Sequence, residues 1–187
     1  MGKTWLMKRI VAVLRQHKQK VLVYSGTGDI QWPAGCKVTC RVEELEQWLG
    51  DKANFKSHVF LDEARVLYSK MKPSKHPNID NLFTMGRHKG FTVYVATQYP
   101  TSIPPAVRVN CPELYCFRLG AVNHAKIVQE DYGDITYNGE KIAKQILHLK
   151  KLDFFRIIQP DTVSLVTLDK VAQKRLTAPN KRLSAPN

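Results

Sequence analysis

The chain has 187 residues, enough for one domain with a substantial core, and its 43% hydrophobic and 24% charged residues fit a globular protein, not a fibrous or disordered one. No apolar run reaches the length of a membrane span and no secretory h-region is seen, so a protein without a transmembrane segment that works inside a cell is expected. Basic residues outnumber acidic ones 29 to 16, and the net charge of +13 favours a polyanionic partner, nucleic acid ahead of an anionic membrane.

Gly2-Lys3-Thr4 stands in the last three places of G-x-x-x-x-G-K-[ST], a turn from a strand into a helix whose backbone N–H groups surround phosphate oxygens. In that pattern Lys3 neutralises the β- and γ-phosphates and the Thr4 hydroxyl binds Mg²⁺. The first glycine, the next four residues and the feeding strand would lie upstream of Met1. Residues 4–16 carry Leu6, Ile10, Val13 and Leu14 at helical spacing. Lys20 to Tyr24 reads as a buried strand, Cys36 to Val42 as a further strand and Glu43 to Leu49 as an amphipathic helix closed by Gly50. His58 to Leu61 is an apolar strand that runs into Asp62-Glu63. A polar loop, Lys70 to Pro77, precedes a helix from about Asn78 to Lys89. Phe91 to Ala96 is the strongest strand signal and stops at Thr97-Gln98, before a Pro-rich loop from Tyr99 to Pro105. Leu114 to Leu119 is another strand. Helices near 121–131 and 138–150 follow, then strands Phe154 to Ile158 and Val163 to Leu168. Strands alternating with helices, most of them uniformly apolar, predict an α/β fold with a mostly parallel sheet covered on both faces.

The chemistry concentrates at two strand ends. A metal bridging the β- and γ-phosphates needs a carboxylate to fix its waters, the part suited to Asp62. The attacking water needs a base, the part suited to Glu63, although an acidic residue there also suits a helix N-terminus. In a parallel sheet Gln98 would lie beside Asp62 and could orient that water. Arg87 could act in trans on the transferring phosphoryl group or serve as a cation at a helix C-terminus, with Arg108 and Arg118 as rivals.

With these residues in this order the chain resembles the HerA–FtsK group of P-loop ATPases, especially viral genome-packaging ATPases. The resemblance rests on Gly2-Lys3-Thr4, on VFLDEAR over 59–65, on RHKGFTVYVATQYPTSIPPAVRVN over 87–110 and on LYCFRLG over 114–120. It covers residues 2 to about 130. It implies a RecA-like P-loop fold, ATP and Mg²⁺ as ligands, and a hexameric ring that moves double-stranded DNA. Gly2, Lys3 and Thr4 would bind nucleotide, Thr4 and Asp62 the metal, and Glu63, Gln98 and a trans Arg87 would be catalytic. It also implies a capsid or portal vertex partner and a place in the virion or host cytoplasm. A truncated first strand, normally between the strands ending in Gln98 and at Leu114–Leu119, leaves the 187-residue chain expected to bind ATP weakly or not at all. Other motors of the same type, or a basic DNA-binding module without ATPase activity, stay open as alternatives.

Lys70, Lys72 and Lys75 form a lysine-rich loop, either solvated or facing DNA. Cys36, Cys40, Cys111 and Cys116 lack paired C-x-x-C spacing and read as reduced thiols, with a four-thiolate zinc site as the alternative. The domain is assigned to residues 1–172. Residues 173–187 are assigned to a basic, disordered tail that holds the tandem copies KRLTAPN and KRLSAPN, either solvated or an arm for nucleic acid or capsid.

Overall fold

A four-stranded parallel sheet forms the centre of the protein, and side-chain alternation along its strands decides what covers each face. The structure, a computed structural model, describes residues 2–28, 30–133, 135–158 and 162–168. In chain order the first half contains α1 (Lys3–Gln16), β1 (Val21–Ser25), β2 (Lys37–Thr39), α2 (Val42–Gly50), β3 (His58–Asp62), α3 (Ala64–Lys70), α4 (Pro77–Asp80), α5 (Leu82–Met85) and β4 (Thr92–Val95). The second half contains α6 (Pro105–Val109), β5 (Glu113–Phe117), α7 (Val122–Asp131), β6 (Thr136–Tyr137), β7 (Glu140–Lys141), α8 (Ile142–Ile146), β8 (Asp153–Ile158) and β9 (Thr162–Thr167). The tandem copies of the tail lie outside the described residues.

The central sheet has the order β2-β1-β3-β4, all parallel. Leu22, Tyr24, Val59 and Leu61 point to one face, where Leu45, Trp48 and Leu49 of α2, Leu67 of α3 and Ile79 of α4 cover them. Val21, Val23 and Phe60 point to the other, against Met7 and Val11 of α1. Two covered faces explain the unbroken apolar runs of β1 and β3. The α/β reading with a parallel sheet therefore holds.

The last strands behave differently. β5, β8 and β9 form a separate antiparallel sheet in the order β5-β8-β9. β8 and β9 are too close in sequence for a parallel crossover, which needs a dozen or more residues. The face of this sheet carrying Cys116, Phe155 and Ile157 packs on Val128 of α7 and on Ile142 and Ile146 of α8. α1 touches both sheets, because Leu6 packs with Phe154 while Met7 and Val11 pack under β1 and β3. The helix that begins at Lys3 is thus fixed by two cores at once.

Three predicted elements are shorter than their sequence pattern. The helix expected over 78–89 is broken into α4, α5 and a 3₁₀ turn, Gly86–Lys89. Asn81 interrupts it, since its side-chain amide donates to the Pro77 carbonyl at 2.9 Å and so competes with the helical ladder. The helix expected over 138–150 is reduced to α8. Ahead of it, Asn138 and Gly139 take positive φ values of 52° and 80° in the turn of the β6–β7 hairpin. The strand expected over 36–42 stops at Thr39, whose hydroxyl accepts from the Arg41 backbone N–H at 3.1 Å.

Candidate functional site

The carboxyl ends of β3 and β4 and the amino end of α1 meet at one place. Gly2 is the N-cap of α1 and is buried. A Cβ at this position would lie 2.3 Å from Cε1 of Phe117, so the ring at the end of β5 leaves room only for glycine. α1 has no acidic residue in its first turn, which keeps the positive end of its dipole unneutralised. Lys3 and Thr4 follow at once on that turn.

Thr4 and Asp62 are 58 positions apart in sequence, yet Oγ1 of Thr4 donates to Oδ1 of Asp62 at 3.2 Å and lies 3.3 Å from Oδ2. Asp62 closes β3 and is 1% exposed. Burial raises its pKa above the ordinary carboxylate value, and the Thr4 hydroxyl and Lys3 oppose that shift only in part. Burial also lowers the pKa of Lys3, against the pull of Glu63 and then Asp62. Each desolvated charge lacks a full complement of opposite charge. A divalent cation on the carboxylate and phosphate oxygens on the ammonium would supply it. The donor set, one carboxylate and one hydroxyl with the remaining positions left to phosphate and water, fits Mg²⁺ bound with a nucleotide.

Glu63 sits at the N-cap of α3 in the left-handed region, φ 56° and ψ 58°, and its side chain makes no capping bond. A non-glycine residue held there costs on the order of 1–3 kcal/mol. The strained backbone turns the carboxylate towards β4, where Oε1 accepts from Nε2 of Gln98 at 3.2 Å. Glu63 thus stands at a helix N-terminus, as the alternative reading had it, but its side chain makes no capping hydrogen bond there. The bond from the Ala64 N–H to the Ala96 carbonyl, 2.9 Å, ties the start of α3 to the end of β4. Past β4, Thr97 Oγ1 bonds the Tyr99 carbonyl at 3.1 Å and lies 3.0 Å from Ser102 Oγ, which steadies the loop that presents Gln98.

A cleft of about 820 Å³ opens over this junction, lined by Lys3, Thr4, Glu63 and Gln98. Its walls also include Trp5, Lys8, Tyr99 and His124, to which the sequence assigned no role, and Arg118, which stood only as a rival to Arg87 for the trans role. Lys8 had a legible signal, one helical turn beyond Thr4 on the same face of α1. Trp5 and Tyr99 directly follow Thr4 and Gln98, whereas Arg118 and His124 come from distant segments. Gly2 and Asp62 stand just behind this lining.

Arg87 is exposed on the 3₁₀ turn at the amino end of β4 and does not line the cleft. Its own chain does not bring it to the triad of Lys3, Asp62 and Glu63. Arg108 is engaged elsewhere: it pairs with Asp131 at 2.5 Å and donates to the Ile103 carbonyl at 2.7 Å. All four cysteines are free, and the described residues contain no cluster of three or more metal-ligating side chains, so the zinc alternative finds no site among them.

The model of the family described as zonular occludens toxin (Zot) matches residues 7–154, most of the chain. The protein belongs to the Zot family. The solved structures similar to this Zot-family chain include the genome packaging NTPase B204 of Sulfolobus turreted icosahedral virus 2 in complex with AMPPCP. It is 22% identical with a TM-score of 0.67, covering 88% of this chain and 90% of that one. The same NTPase in complex with ATP-gammaS is 20% identical, TM-score 0.65, with the same coverage. B204, the DNA-packaging ATPase from Sulfolobus turreted icosahedral virus, is 19% identical, TM-score 0.67, again over 88% and 90% of the two chains. At these identities the likeness establishes a shared α/β fold with a mostly parallel central sheet. No curated protein matched the sequence.

Proposed function

We propose that this Zot-family chain is an Mg²⁺-dependent ATPase that moves double-stranded DNA, packaging a viral genome into a capsid, and that it belongs to the HerA–FtsK group. One observation carries the reading: Lys3, Thr4, Glu63 and Gln98, drawn from three separated segments, line a single cleft, and Asp62 accepts a hydrogen bond from Thr4 just behind it. The fold shared with B204, a protein described as a genome packaging NTPase and solved with ATP analogues, supports it.

In this reading Lys3 neutralises the β- and γ-phosphates, and Thr4 with Asp62 would hold Mg²⁺, which would supply charge neutralisation on the phosphates. Glu63 takes a proton from the attacking water. The water oxygen bonds to the γ-phosphorus as the bond from that phosphorus to the β–γ bridging oxygen breaks, and ADP leaves with the electron pair. Gln98, bonded to Glu63 in the resting site, positions the water and senses the loss of the γ-phosphate. Arg87, exposed and away from its own cleft, acts in trans on the neighbouring subunit of a homo-oligomeric ring. That ring works with a capsid or portal vertex protein, in the virion or the host cytoplasm.

The net charge of +13 supports a DNA partner. Lys70, Lys72 and Lys75 are all exposed and face duplex DNA through its phosphates, which a motor must grip regardless of sequence. A basic DNA-binding module without ATPase activity would account for the charge, but not for a strained Glu63 aimed at Gln98. The test is duplex binding across a salt series. Binding falls steeply with salt, and changing the three lysines to Ala reduces the log–log slope by about three. A flat salt dependence contradicts the DNA-motor reading.

A further inference from the structure

Three arginines stand near enough in sequence to the catalytic segments to serve a phosphate, and the fold separates them. The guanidinium of Arg108 is consumed by Asp131 and by the carbonyls of Pro100 and Ile103. Arg87 is at the amino end of β4, whereas the cleft is at the carboxyl end. Arg118 is different. It follows β5 directly, it is exposed, and it lines the same cleft as Lys3, Thr4, Glu63 and Gln98.

Its position is built. Phe117, the preceding residue, packs so closely on Gly2 that the end of β5 and the start of α1 are in direct contact. β5 itself pairs with β8 over five residues, and Glu113 at its other end bonds Arg156 at 2.5 Å. A strand held in this way carries Arg118 to the mouth of the cleft without depending on a mobile loop. No described residue gives Arg118 a hydrogen bond or ion pair, although its five donors suit bidentate contact with an oxyanion. Among the described residues the lining carries three cations, Lys3, Lys8 and Arg118, against the single carboxylate of Glu63. An excess of positive charge on that scale matches the terminal phosphates of a nucleotide.

We propose that Arg118 binds a non-bridging oxygen of the terminal phosphates of a nucleoside di- or triphosphate held in the cleft of its own chain. The inference rests on the reading of the cleft as a nucleotide site. It makes Arg118 a cis phosphate ligand, separate from any arginine a neighbouring subunit contributes.

The test is calorimetric titration with Mg-ATP, Mg-ADP and AMP, on the 187-residue chain and on any longer form its gene encodes. R118A weakens Mg-ATP and Mg-ADP by about tenfold or more and changes AMP by less than about twofold, with R118K between the two. K3A tests the underlying reading: it must weaken Mg-ATP as well. Mixing R118A with E63Q subunits distinguishes cis from trans action, because a cis role predicts no phosphate release beyond the sum of the separate variants. If R118A binds Mg-ATP as tightly as the wild type, or if mixing restores turnover, the cis assignment is wrong and the nucleotide site stands. If neither form of the wild-type chain binds any of the three nucleotides, or if K3A changes nothing, the site reading fails and the Arg118 proposal falls with it.

Discussion

Changing Asp62 to Asn should make the nucleotide-free protein more stable while removing its use for Mg-ATP. Asp62 is 1% exposed, and among the described side chains only the Thr4 hydroxyl bonds it, beside the backbone N–H of Glu63. Asn has nearly the same shape and still accepts that bond through its carbonyl oxygen. The change therefore removes a poorly compensated buried charge with little change in packing. Lys3 loses one attractive partner but keeps Glu63, the stronger of the two. Relief of a buried, under-satisfied polar group is worth about 1–3 kcal/mol, which for a domain of this size raises Tm by roughly 2–12 °C. The pH dependence has a definite sign. The folded pKa of Asp62 lies above its ordinary value of 3.8, so the native state binds the proton more tightly than the unfolded state. Wild-type stability is then favoured at low pH and falls as pH rises from 3.8 through the folded value. D62N should lack that fall, so the gap between the two proteins widens towards neutral pH. Lys3 works in the mirror sense: its lowered pKa makes stability recover as pH rises towards 10.5. Differential scanning calorimetry across a pH series, with and without Mg-ATP, reads all of this. A D62N protein less stable than wild type at neutral pH would refute the reasoning that this carboxylate is held at a cost for a ligand.

Other consequences are local. Gly2→Ala should destabilise by about 1–3 kcal/mol through overpacking on Phe117, and F117L in the same chain should recover much of the loss, measured by urea unfolding. Arg108→Ala should cost about 3 kcal/mol, because it leaves Asp131 largely buried without its partner; the same denaturation series checks it. Burial pushes the Cys116 thiol up to about 12, so a thiol reagent at neutral pH should modify exposed Cys40 and reach Cys116 only after unfolding.

The parts of the site readable in the sequence were those with a one-dimensional signature. An apolar run that ends in Asp62-Glu63 marks a buried parallel strand whose last side chains must be polar, and the run from Phe91 ends in the same way at Gln98. The rest depended on long-range geometry. Nothing near Phe117 in sequence says that its ring closes over Gly2, and nothing near Glu63 announces a left-handed backbone. Arg118 and His124 enter the cleft from the end of β5 and from α7, both far from α1 in sequence. Local chemistry also broke expected helices. Asn138-Gly139 is a hairpin turn signal inside the span 138–150 expected as one helix, and the structure follows the turn. Asn81, whose amide bonds Pro77, broke a helix that the spacing of Ile79 and Leu82 would have continued.

The most direct measurement is phosphate release from Mg-ATP in a single turnover, comparing wild type with E63Q on chains that bind nucleotide. The account predicts that E63Q binds Mg-ATP as well as wild type and releases essentially no phosphate. Wild-type rates of release from E63Q would mean that the carboxylate beside Gln98 is not the base, and the catalytic cleft described above would not be one.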